Sequence, residues 1–163
     1  MSEHYHVRLE KERLVFSAAH FITYGDDICE PLHGHNYRVS AEVRGPLNDN
    51  QYVTDFIALR DTLQTIVDRL DHRMLLPTGH PTIKVEAGET EIEVTHGIRR
   101  WIFPAPDCVV LPLANTTAEL LARQIGLELL DRLEEQLGSR PTDVCIGVDE
   151  CDGQWGVCHL RDQ

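Results

Sequence analysis

Two-residue and 3.6-residue periods divide the chain into recognisable elements. From Tyr5 to His20 the alternation is loose, with Val7 and Leu9 followed by Leu14 and Phe16, and it predicts a strand or hairpin. Gly25 to Pro31 carries turn chemistry and reads as a loop. In His35–Gly45 the alternation is strict: Tyr37, Val39, Ala41 and Val43 interleave with Arg38, Ser40, Glu42 and Arg44, the pattern of a half-buried strand. Phe56, Leu59, Leu63, Ile66, Val67 and Leu70 then follow a helical period, with Thr54 or Asp55 as its cap. A second helix opens at Thr116-Thr117, presents Leu120, Leu121, Ile125, Leu129, Leu130 and Leu133, and stops at Gly138. Asp143–Val148 and Trp155–Leu160 read as two short strands joined across Asp152-Gly153.

Residues 82–113 interrupt this plan. Ile83, Val85, Ile92 and Val94 alternate around Gly88, and the apolar stretch from Ile98 to Leu113 is broken by Pro104, Pro106 and Pro112. The pattern predicts an inserted, exposed β-hairpin carrying Glu86, Glu89, Glu91 and Glu93. The order of elements, with strand pairs joined by short turns, indicates an α+β fold: an antiparallel sheet with both helices on one face.

Length narrows the domain count, since 163 residues suit a single domain spanning 1–163. Charge narrows function. Fifteen basic against 27 acidic residues leave a net charge of −12, against the basic surface that nucleic-acid binding needs. No apolar run approaches a membrane span, and MSEHYHVRLEKERL has no apolar core of a secretory signal, so a cytoplasmic protein is expected. Five cysteines without framework spacing fit reduced thiols, while nine histidines are many for this length and point to metal.

Four groups of residues carry candidate chemistry. His33 and His35 are two apart on a strand and so share a face, where two imidazoles can hold one metal ion. His20, at the end of the small-residue run Phe16-Ser17-Ala18-Ala19, is the candidate third ligand of an open catalytic site; without it, the pair is a solvated turn. His4 and His6 share the spacing but read as a frayed end. Cys29, four residues before His33, is a candidate base or nucleophile, with adjacent Glu30 as a competing carboxylate base. Cys108, Cys145, Cys151 and Cys158 read as structural. Asp71-His72, at the end of the first helix, is either an oriented catalytic dyad or a histidine answering the helix dipole. Asp149 and Glu150 point to opposite faces at a strand end, so only one of them can enter a site.

In this order the four groups resemble the 6-pyruvoyl-tetrahydropterin synthase / 6-carboxytetrahydropterin synthase family. The matching stretches are FSAAH (16–20), CEPLHGHNYRV (29–39), DF (55–56), LDH (70–72), TAE (117–119) and VDE (148–150). The resemblance implies the tunnelling fold, a four-stranded antiparallel sheet with two helices, assembled into homohexamers with active sites between subunits. It implies Zn2+ on His20, His33 and His35, and Cys29 as base with Asp71 and His72 as its partner dyad, the thiol pKa lowered by nearby charge. It also implies Glu150 as anchor for the pterin ring edge, with Thr117 and Glu119 lining the pterin pocket. The substrate would be 7,8-dihydroneopterin triphosphate, whose charge must be offset locally; Arg38, Arg73 and Lys84 are the candidates.

CEPLHGH satisfies two family patterns at once. CxxxHGH resembles 6-carboxytetrahydropterin synthases of the queuosine pathway, the leading reading. ExxHGH, through Glu30, resembles enzymes that release 6-hydroxymethyl-dihydropterin. A 6-pyruvoyl product ranks third. A zinc hydrolase would leave Cys29 and the dyad without roles, and a non-catalytic pterin binder need not keep Cys29, Asp71 and His72 together.

Overall fold

A computed structural model describes residues 2–162. The first strand, β1 (Tyr5–His20), is continuous rather than a hairpin. Its pairing with β4 (His33–Gly45) slips between Glu10 and Val15, so five residues of one strand pass only two of the other. That bulge changes which parity faces inward. Val7 and Leu9 are buried before it, Leu14, Phe16, Ala18 and His20 after it, which accounts for the loose alternation in the sequence. Between these strands, β2 (Thr23–Tyr24) and β3 (Ile28–Cys29) close the loop with a two-residue pairing.

The first helix, α1 (Phe56–Leu70), is capped by Asp55, which accepts from the amides of Ile57 at 2.7 Å and Ala58 at 3.1 Å. Its buried stripe runs from Ala58 to Leu70, but Phe56 stands outside it, 54% exposed. The second helix, α2 (Ala118–Leu137), starts at Thr117, whose hydroxyl accepts from the Leu120 amide, and ends at Gly138 in the left-handed region. Both helices cover one face of the sheet through a core that includes Phe16, Tyr37, Leu63, Ile66, Leu129 and Ile146.

The sheet is larger than the sequence predicts. Its antiparallel part is the expected four strands, in the order β11 (Trp155–Arg161), β10 (Asp143–Asp149), β4, β1. Two further strands, β5 (Arg73–Pro77) and β9 (Cys108–Leu111), extend it in parallel beyond β1. β5 is covered on both sides: Leu75 joins the helix-side core, while Met74 and Leu76 join a second cluster. A strand buried on both faces shows an unbroken apolar run instead of alternation, and so carries no period to read.

The inserted segment is also more than a hairpin. β6 (Lys84–Ala87), β7 (Glu91–His96) and β8 (Arg99–Pro104) form a three-stranded antiparallel meander. Glu86, Glu89 and Glu91 are exposed as expected, but the opposite face is docked. Ile83, Ile92 and Val94 bury against Phe21, Met74 and Leu76, and Trp101 stacks on Phe21 with ring centroids 4.6 Å apart. No helix among the described residues is long and apolar enough to cross a membrane.

One contact ties the fold to the pocket described below. A Cβ placed on Gly156 would lie 2.6 Å from the backbone of Ala118 and Glu119, where β11 meets the start of α2. Backbone cannot give way as a flexible side chain can. Gly156→Ala is therefore expected to destabilise the protein by about 1–3 kcal/mol in chemical denaturation, and to displace the helix start that carries Thr117.

Candidate metal centre and pterin pocket

β1 and β4 place the site. Register pairs His20 directly with His33, and the pleat turns His20, His33 and His35 to the same side. Their ring nitrogens lie within 4.8 Å of one another. Each Nδ1 already has a partner: Thr116 O for His20 at 2.9 Å, Pro31 O for His33 at 2.9 Å, and Cys151 Sγ for His35 at 3.2 Å. An imidazole held through Nδ1 offers Nε2 as a ligand, the usual outer-sphere support of a metal-binding histidine. Burial lowers the pKa of His20, favouring the neutral, ligating form. The donor set therefore fits a three-histidine metal ion with open coordination positions.

Two groups frame the triad. Glu150 brings Oε1 to 3.3 Å from His20 Nε2 and 3.6 Å from His35 Nε2. Its neighbour Asp149 is buried and accepts from the amides of Gly153 and Gln154, so it shapes the turn and leaves Glu150 alone to face the site. Tyr37, wholly buried, donates its hydroxyl to Glu150 at 3.3 Å and sits 3.2 Å from His20 Nε2. Burial, then the Glu150 charge, pushes the Tyr37 phenol far up, so it stays a proton donor. Glu150 also borders a cavity of about 400 Å³ lined by Ile22, Thr117, Glu119 and Trp155. Thr117 and Glu119 thus share a pocket with Glu150 at the start of α2.

The Cys29-Glu30 loop divides its two side chains. Glu30 reaches toward the triad, with Oε2 3.9 Å from His33 Nε2. Cys29 packs against the second apolar cluster, which includes Phe21 and Ile83 and carries Ala19, Val85 and Trp101 at its edge. Among the protein's own groups, burial raises the Cys29 thiol, Asp27 and Glu30 add to the rise, and Arg99 opposes it.

Asp71 and His72 form a dyad, with His72 Nδ1 2.8 Å from Asp71 Oδ2. The Asp71 carboxylate also accepts from the Ser17 amide at 2.7 Å, which holds its pKa below the usual carboxylate range. His72 adopts φ 56°, an uncommon backbone state for a non-glycine residue. Its ring is 80% exposed in a groove with Ser17, Asn36 and Arg73, on the sheet face opposite the helices. His35 lines this groove as well, and Cys29 is not among its lining residues. Of the candidate phosphate cations, Arg73 lines the groove, Arg38 lies 3.6 Å from Asp152, and Lys84 bonds to Pro81 O.

Three neighbours of the site have no signal in the sequence. Tyr37 reads as one more apolar position of β4. Cys151 reads as structural, yet lies against His35 from 116 residues away. Arg99, in the insert, donates to the carbonyls of Cys29 and Glu30.

An α+β chain with a three-histidine cluster at the end of two paired strands, opening beside a helix-start pocket, is a metal-dependent enzyme in outline. The profile of the family described as 6-pyruvoyl tetrahydropterin synthase matches residues 9–159. The chain belongs to this family of lyase-type, metal-dependent enzymes. A Methanocaldococcus jannaschii protein named putative 6-carboxy-5,6,7,8-tetrahydropterin synthase is 32% identical over 149 residues, 91% of this chain and 90% of its own. A Pyrococcus furiosus dihydroneopterin monophosphate aldolase is 36% identical over 63 residues, 39% of this chain and 53% of its own. The structure of Plasmodium falciparum 6-pyruvoyl tetrahydropterin synthase superposes with a TM-score of 0.89 at 30% identity, covering 99% of this chain and all of that one.

Proposed function

We propose that this chain is a zinc-dependent lyase that converts 7,8-dihydroneopterin triphosphate to 6-carboxy-5,6,7,8-tetrahydropterin. The observation that carries the reading is the convergence of His20, His33 and His35, each with its Nδ1 occupied, beside Glu150 and the Cys29-Glu30 loop. The name of the Methanocaldococcus relative, similar over 91% of the chain, favours the 6-carboxy product.

Zn2+ bound by the three imidazoles would supply Lewis acidity toward the side-chain oxygens of the substrate. The protein's own groups do the rest. Glu150, polarised by the Tyr37 hydroxyl, accepts from the amino-pyrimidine edge of the pterin, with Thr117 and Glu119 lining the pocket. Cys29, as the thiolate, takes a proton from the substrate side chain onto Sγ and becomes the neutral thiol. His72 returns a proton, its tautomer set by Asp71. The reading takes the dyad from a neighbouring copy of the chain, in a homohexamer with sites between subunits.

One observation favours a second reading. Glu30, not Cys29, points at the triad, with Oε2 3.9 Å from His33 Nε2. A carboxylate base there suits carbon–carbon cleavage to 6-hydroxymethyl-dihydropterin, and the Pyrococcus relative is named an aldolase. The zinc-loaded protein incubated with dihydroneopterin triphosphate decides between them. A 6-carboxy product with acetaldehyde supports the first reading, a 6-hydroxymethyl product the second, and a 6-pyruvoyl product overturns both.

The dyad carries its own test. Asp71→Asn can still accept from Ser17 but no longer favours the His72 tautomer with hydrogen on Nδ1. Turnover is expected to fall about 10- to 100-fold, as for loss of other outer-sphere partners, with metal content unchanged. Unaltered turnover would assign the pair to helix capping alone.

A further inference from the structure

The loop that carries Cys29 and Glu30 has little structure of its own. Two paired residues on each side and one amide bond, Glu30 N to Ile22 O at 2.9 Å, close it. Gly25 and Asp27 have positive φ, and Tyr24 to Ile28 are exposed. A segment so sparsely bonded opens easily unless something outside holds it.

The insert holds it at several points. Arg99 Nη1 donates to Cys29 O at 2.8 Å and to Glu30 O at 3.0 Å, across some 70 residues of sequence. The guanidinium also lies over Trp101 at 4.9 Å, and Trp101 stacks on Phe21, the residue after His20. Farther along the loop, Asp27 accepts from Thr82 at 2.7 Å and lies 3.3 Å from His96 Nε2. Thr23 bonds His80 at 2.6 Å, while His80 Nδ1 accepts the amides of Thr82 and Ile83, which fixes its hydrogen on Nε2 toward Thr23.

We propose that the inserted meander is a clamp for the base-bearing loop, and that Arg99 is the positioning residue that sets where Cys29 and Glu30 stand relative to the three histidines. Arg99 touches no reacting atom; it acts through the two backbone carbonyls. Only a guanidinium on the meander offers directed donors to both, and its stack on Trp101 fixes their angle. The same charge counters the burial of the Cys29 thiol.

The proposal rests on the functional reading above, but its test has an arm that does not. In the full-length, zinc-loaded protein, Arg99→Ala is expected to speed hydrogen exchange of the 28–30 amides at least tenfold while β1 and β4 stay protected. It is expected to lower kcat on dihydroneopterin triphosphate about 10- to 100-fold, the scale of a misplacement near 1 Å, with zinc per chain and KM little changed. Arg99→Lys, which keeps the charge but loses the fork, should recover part of the rate, and it replaces Arg99→Ala should that variant fail to fold. Unchanged exchange at 28–30 would overturn the clamp whatever the turnover. Faster exchange with undiminished kcat would overturn the positioning role. A wild-type protein that turns over no dihydroneopterin phosphate would sink the functional reading, while the exchange arm would still decide the clamp.

Discussion

Cys29→Ala is expected to keep its zinc and to lose formation of 6-carboxytetrahydropterin by about 100- to 10,000-fold, the contribution of a positioned proton-transfer group. The thiol makes no bond to the triad, so removing it should leave metal content and fold intact. It makes a long hydrogen bond to Glu30 O at 3.5 Å. The paired variant is Glu30→Gln, which keeps the shape of the side chain facing His33 and removes its basicity. If Cys29 and Glu30 serve different products, each variant should lose one pterin and keep the other. Product analysis of both, on the same substrate, is the measurement. Retention of the 6-carboxy product by Cys29→Ala would remove the thiol as base. Loss of both products in Glu30→Gln alone would make the carboxylate the base for either reaction. The geometry makes the outcome informative, because the thiol packs at the second apolar cluster, where burial raises its pKa, while the carboxylate already approaches the triad.

His33→Ala should lose metal and activity together. Metal affinity should weaken by more than the roughly 10- to 100-fold that follows loss of an outer-sphere partner, and turnover should fall at least as far. His33 is the cleaner probe of the three. His20 is buried at 1% exposure and bonded to Thr116 and Tyr37, so its removal would also leave a cavity and an unpaired carbonyl. His33 is half-exposed and its partners, Pro31 and Glu30, lie close by in sequence, so the fold should survive. Metal analysis alongside thermal unfolding separates the two effects. Undiminished zinc in folded His33→Ala would remove the triad as the zinc site.

Local spacing and charge made much of the molecule legible. Asp55 and Thr117 are caps because their oxygens reach amides two or three residues on. His33 and His35 share a face because a strand repeats every two residues. Asp71 and His72 are sequence neighbours and meet as such. These are short-range facts, and the chain specifies them by itself.

Tertiary structure decided what depends on partners far along the chain. β5 and β9 have no visible period because both sides of β5 are covered, one by the helix-side core and the other by the meander. The bulge after Glu10 rephases β1 so that His20 faces His33, a correction that alternation alone does not supply. The opposite directions of Cys29 and Glu30 come from Arg99 and the second apolar cluster, some 70 residues away. Neighbouring side chains on an extended backbone must diverge, so CEPLHGH could satisfy two motifs on paper while only one of the pair can face the histidines. Which one does is set by the packing around the loop, and that information is distributed over residues no local pattern connects.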